Sequence, residues 1–130
     1  MIFSILVAVR IAGWVLASII TILSLVPPAY RPETAVPHNL EHFVIFAVTG
    51  LCFGVGYRRS SIPVTIGLIV FAGAIELAQK LVNGRHARLS DFIVDAFAMC
   101  VGVAAGSSVI NHYFGSDFWT QQRFHTLHRR

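Results

Sequence analysis

Apolar residues in this chain arrive in long blocks, and the polar residues collect between them. Ile2 to Val26, His42 to Tyr57, Ile62 to Leu81 and Phe92 to Ile110 are each dominated by aliphatic and aromatic side chains. A helix needs about 20 mostly apolar residues to cross a bilayer. The pattern therefore predicts four spanning helices, the second of them short and starting a little earlier than His42, near Asn39. The expected fold class is all-α: a four-transmembrane-helix bundle with short loops and an interfacial C-terminal tail.

The breaks between blocks carry helix-stopping chemistry. Pro27, Pro28 and Pro32 end the first helix and Pro37 closes the loop after it, because proline has no N–H to donate and clashes with the preceding turn. Arg58-Arg59-Ser60-Ser61 forms a tight polar turn, and Pro63 suits the first turn of the third helix. Asn83-Gly84 supplies a stop, and Ser90 is the expected N-cap of the fourth helix. The chain divides into a membrane domain, 1–112, and a basic, aromatic tail, 113–130, with Tyr113, Phe114, Phe118, Trp119 and Phe124 beside terminal arginines. His112, His125 and His128 belong to that interfacial segment.

Composition sharpens this picture. With 130 residues, 55% hydrophobic and only 12% charged, there is room for one domain and little of it is soluble. The net charge of +4 gathers at helix ends, which fits membrane orientation and not nucleic-acid binding. The first block outlasts a signal-peptide core and lacks a small-x-small cleavage site, so it is expected to be a retained helix. Cys52 and Cys100 lie mid-span as small packing residues. Loop 2 and the tail hold Arg58, Arg59, Arg123, Arg129 and Arg130, with Arg10 snorkelling toward the same side; loops 1 and 3 hold Arg31, Lys80, Arg85 and Arg88. The positive-inside rule then puts the termini in the cytoplasm.

Candidate chemistry lies between Glu76 and Asp95. A charged side chain at a helix centre costs on the order of 2.5–3.5 kcal/mol on insertion scales, so carboxylates inside such segments need a reason. In this topology His42 and Asp91 lie near the outer ends of helices 2 and 4. Glu76 lies roughly 7 Å below the outer end of helix 3, and Asp95 one turn below Asp91 at similar depth. Three helices thus deliver polar groups to one level, with Arg85 and Arg88 above. Glu76, Asp91 and His42 are the catalytic candidates; Arg85, Arg88, Gln79 and Asp95 are the substrate-binding candidates. The bland alternative is that these groups, Gln79 above all, are interhelical hydrogen-bonding glue. Metal ligation by His38 and His42 with Asp91 has no recognised ligand spacing behind it, so neither metal nor cofactor is expected. Gly50-x-x-x-Gly54 and Gly102-x-x-x-Gly106 occupy the inner halves of helices running in the same direction, where they could face each other.

The run His42-Phe43, Glu76-x-x-Gln79, Gly84-Arg85, Asp91 and the helix with Gly102 and Gly106 resembles the VanZ-like membrane proteins, whose type member is associated with low-level teicoplanin resistance. The likeness covers about residues 38–106. Family members often carry Asp-Lys before the helix 2 histidine, where this chain has His38-Asn39, and many have Asn where this chain has Asp95. The resemblance implies a bacterial inner-membrane protein in a cell-envelope context, without a settled reaction.

The combined expectation is a polar pocket on the outer-leaflet side that binds or acts on an anionic envelope component, a membrane lipid or a lipid-linked phosphate or glycan precursor. Arg85 and Arg88 would grip the anion, and Glu76 with Asp91 or His42 would move protons. No nucleophile motif, P-loop or metal signature argues for catalysis, so the enzyme question stays open. One rival is a non-catalytic module whose polar cluster fixes packing or a partner interface. Another is proton-coupled transport through Glu76 and Asp95, for which four short helices would have to form a homo-oligomer.

Overall fold

The apolar blocks become helices because a backbone in lipid must satisfy its own N–H and C=O groups within each segment. The computed structural model describes the backbone of residues 2–27, 37–57, 60–82 and 88–127, and the side chains of 3–27, 37, 40–57, 60–82 and 88–113. All regular structure among them is helical: α1 (Ile2–Leu25), α2 (His38–Gly56), α3 (Ser61–Gln79) and α4 (Leu89–Leu127). The segments α1, α3 and Leu89–Tyr113 of α4 are long and apolar enough to cross a membrane, whereas the apolar part of α2, Leu40–Gly56, is shorter. Large apolar side chains point outward on all four helices, among them Trp14, Val48, Val70 and Phe97.

Boundaries follow the expected breakers with two differences. Pro37 precedes α2 and its carbonyl accepts the first helical bonds, from the Leu40 and Glu41 amides at 2.9 and 3.2 Å. Pro63 lies in the first turn of α3. Ser90, however, is not the N-cap of α4. The helix starts at Leu89, and the Arg88 carbonyl receives the Asp91 and Phe92 amides at 3.0 and 3.3 Å. The Ser90 hydroxyl instead donates to its neighbour Asp91. The second difference is that α4 continues past the end of the apolar block at Ile110 to Leu127. The Asn83-Gly84 stop lies outside the described residues.

The dominant contact is between α2 and α4, which run parallel. A methyl group added at Gly54 would fall 2.5 Å from the Val103 carbonyl oxygen, and one at Gly106 would fall 2.5 Å from that of Leu51. Added at Gly50 or Gly102, it would strike the Met99 or Ala47 carbonyl. The two Gly-x-x-x-Gly motifs therefore do face each other and bring backbone against backbone, as small residues allow in membrane helices. Around this seam Phe46, Ala98, Met99 and Val103 are buried with Ile20 of α1 and Leu68 and Ala72 of α3. Helix α1 runs antiparallel to α2, with Gly13 against Phe53 and Cys52. Helix α3 runs antiparallel to α4, and a methyl group added at Gly73 would stand 3.5 Å from the Phe92 ring.

Candidate functional site

The parallel seam fixes what stands at its loop-3 end. One turn of α2 below His42 comes Phe46, buried in the core, and the two rings stack with centroids 5.7 Å apart and planes 13° from parallel. That stacking sets the imidazole plane. Across the seam Asp95 of α4 is itself buried, and His42 Nδ1 lies 3.1 and 3.2 Å from its two carboxylate oxygens. An ionised carboxylate only accepts, so Nδ1 carries the proton and donates it to Asp95.

Glu76 reaches the same level from α3. It is buried, and its carboxylate oxygen Oε1 accepts the backbone N–H of Arg88, immediately before α4. That bond secures the amide just outside the first turn of α4, which explains why the helix begins before Ser90. Asp91, Asp95 and His42 all lie within electrostatic range of Glu76. Gln79 is buried one turn further along the face of Glu76. Asp91 is half-buried in the first turn of α4, where a carboxylate complements the helix dipole, and it accepts the Ser90 hydroxyl at 3.0 Å.

Of the residues singled out from the sequence, His42, Glu76, Asp95 and Asp91 come together at one end of the bundle, with Gln79 beside them. Arg88 enters through its backbone amide; its side chain is exposed at the rim. Arg85 and the His38 side chain lie outside the described residues. Two contacts were hidden from sequence reasoning. The first is the Glu76–Arg88 amide bond, because a backbone donor carries no residue signature. The second is the His42–Asp95 pair, because two helices had to be placed in register before those residues could meet. The spacing of Asp95 from the Gly102 motif was the available signal.

Beneath this cluster the described buried residues are mostly apolar. Phe46, Ala98, Met99 and Ala72 close the floor, and Thr49 is buried with its hydroxyl donating to the Ile45 carbonyl at 2.7 Å. The arrangement is a buried, acid-rich cluster at one end of the helices. Among the described residues, no group of three or more His, Cys, Asp or Glu side chains is placed to hold a metal ion. A cleft of about 450 Å³ between α3 and α4, lined in part by Thr65, Cys100 and Ser107, lies at the other end and shares none of these residues. No family model, no curated protein and no solved structure matches this chain.

Proposed function

We propose that this chain is a four-spanning, VanZ-like protein of the bacterial inner membrane, with cytoplasmic termini, whose loop-3 pocket binds or acts on an anionic cell-envelope component. Support for α2 as a fourth span comes from its length and its partner. Its 19 residues extend about 28 Å, close to the roughly 30 Å of a hydrocarbon core, and it is seamed to α4, which is long and apolar enough to cross. Cysteine labelling tests the orientation: Ser60→Cys should react from the cytoplasmic side and Lys80→Cys from the periplasmic side, and the reverse pattern would invert the topology.

The observation that carries the functional reading is the convergence of an oriented His42–Asp95 pair and a buried Glu76 carboxylate on one level. A histidine oriented by a carboxylate and a stacked ring is placed to take or give a proton. Arg88 at the rim supplies a cation above the acids, suited to a phosphate or carboxylate, and Arg85 belongs to the same loop. A substrate gripped at the rim would direct its protonatable group down toward Glu76 and His42. A membrane lipid or a lipid-linked phosphate or glycan precursor has this form, with an anionic head and an apolar tail for the outward faces of the helices. The resemblance adds a link to glycopeptide susceptibility.

A specific observation also favours the packing alternative. Glu76 is bonded to a backbone amide of the chain itself, and His42 is bonded to Asp95, so each helps hold helices together. Proton-coupled transport has less support, since the described residues beneath the cluster form an apolar floor. The deciding experiment is a structure of the protein purified with native lipid. Density for an anionic headgroup contacting Arg88 above Glu76 supports binding or catalysis. A dry cluster with every polar group paired within the protein would support packing alone.

A further inference from the structure

At the opposite end of α2 stands a second polar group, unrelated to the acid-rich cluster. Arg10 is the one charged residue in the 24 residues of α1. Snorkelling alone would leave its side chain loose at the interface. Instead its Nε–H donates to the Gly56 carbonyl oxygen at 2.8 Å, and its guanidinium lies over the Tyr57 ring, 4.8 Å from the centroid. Trp14, one turn along α1, donates its indole N–H to the Tyr57 hydroxyl at 3.2 Å and meets the Phe53 ring edge to face. The cation is thus fixed from two directions on a braced aromatic face.

The groups left over share one chemistry. A guanidinium has five N–H donors, and only the Nε–H is used on Gly56, so four remain on its terminal nitrogens. The Tyr57 hydroxyl accepts from Trp14 and keeps its own proton to donate. Arg10 is exposed, so these donors face outward. The described acidic side chains, Glu41, Glu76, Asp91 and Asp95, all belong to the other end of the bundle, at the start of α2, the end of α3 and the start of α4. From His42 to Gly56 is about 21 Å along the helix, too far for those acids to neutralise Arg10.

We propose that Arg10 and Tyr57 form a site for the phosphate of an anionic phospholipid, at the membrane surface where loop 2 lies. The planar fork of Arg matches phosphate oxygens, and an aromatic pair at this level suits the headgroup region. An apolar helix brings the cation to the depth at which lipid phosphates are found. The site rests on α1 and α2 lying in a bilayer, but not on the chemistry of the loop-3 pocket. The competing role is a plain cap, in which Arg10 only satisfies the last carbonyl of α2. A cap needs the Nε–H alone, and it does not need the Tyr57 hydroxyl.

Native mass spectrometry of the full-length protein with phosphatidylglycerol, phosphatidylcholine or inorganic phosphate tests this, with melting temperature recorded in parallel. Wild-type protein should retain phosphatidylglycerol in preference to phosphatidylcholine. Arg10→Gln should lower that retention about fivefold, the loss of one basic contact near a lipid surface. Tyr57→Phe should lower it by a smaller factor with little change in melting temperature, because the ring face survives and the Trp14 indole that loses its acceptor is exposed. Wild-type retention in Tyr57→Phe would overturn the proposal, even where Arg10→Gln proved too unstable to measure. Displacement of the lipid by millimolar inorganic phosphate would overturn the assignment to lipid and leave a free-anion site.

Discussion

The same two helices, α2 and α4, build two regions with opposite tolerances. In their lower halves Gly50, Gly54, Gly102 and Gly106 press backbone on backbone, and there is no room for one more carbon atom. At the loop-3 end the same pair separates enough to hold His42 and Asp95 side by side, with Glu76 arriving from α3. The seam depends on atoms that are missing, and the polar cluster depends on atoms that are present. The difference teaches that the glycine seam can be broken without touching the polar cluster, whereas the His42–Asp95 pair belongs to both the cluster and the α2–α4 contact.

Breaking the seam should have the largest effect. Gly102→Leu would drive a side chain into the Ala47 carbonyl and should abolish recovery of folded, monodisperse protein in detergent. Gly54→Ala and Gly106→Ala should each cost about 1–3 kcal/mol in a denaturant titration, the usual penalty for overpacking. If either proved neutral, the helices would be less closely seated than described.

The polar cluster should respond less. Asp95→Leu deprives the His42 Nδ1–H of its acceptor and should cost about 1–2 kcal/mol. A double-mutant cycle with His42→Phe should return a coupling of about 0.6–1.7 kcal/mol, the range seen for hydrogen bonds within membrane proteins. Zero coupling would mean that the pair does not form in the bilayer. Glu76→Leu should cost about 1–3 kcal/mol by leaving the Arg88 amide unsatisfied. Glu76→Gln keeps a carbonyl acceptor for that amide and should cost under about 1 kcal/mol.

The smallest change is a control for the seam. Gly67 in α3 has no heavy atom within 4 Å of where a methyl would stand. Gly67→Ala should raise stability by no more than about 1 kcal/mol through helix propensity. Destabilisation there would show that glycines in this protein matter for reasons other than close approach.

How much of this was legible in the sequence follows from how local each signal is. The four helices and the facing glycine motifs were readable, since apolar blocks and four-residue glycine spacing are local properties. The gathering of His42, Glu76 and Asp95 at one level was readable too, because helix rise converts sequence position into depth. The partners were not. The Glu76 carboxylate takes the backbone amide of Arg88, a donor that every non-proline residue carries. The start of α4 was misplaced for the same reason: the amide held by Glu76 lies ahead of it, and Ser90 turns to Asp91 instead. Nor did hydropathy show that α4 would run on to Leu127, since the apolar block that marks the helix ends at Ile110.

The central proposal is that the Glu76 carboxylate serves chemistry in addition to holding the Arg88 amide. Melting temperature in detergent and glycopeptide susceptibility of cells, measured together for Glu76→Gln against wild type, test it most directly. The substitution keeps size, shape and an acceptor for the Arg88 amide while removing the charge. The expected result is a melting temperature close to wild type with the envelope phenotype lost. Stability and phenotype falling together, or a phenotype kept intact without the charge, would contradict the account.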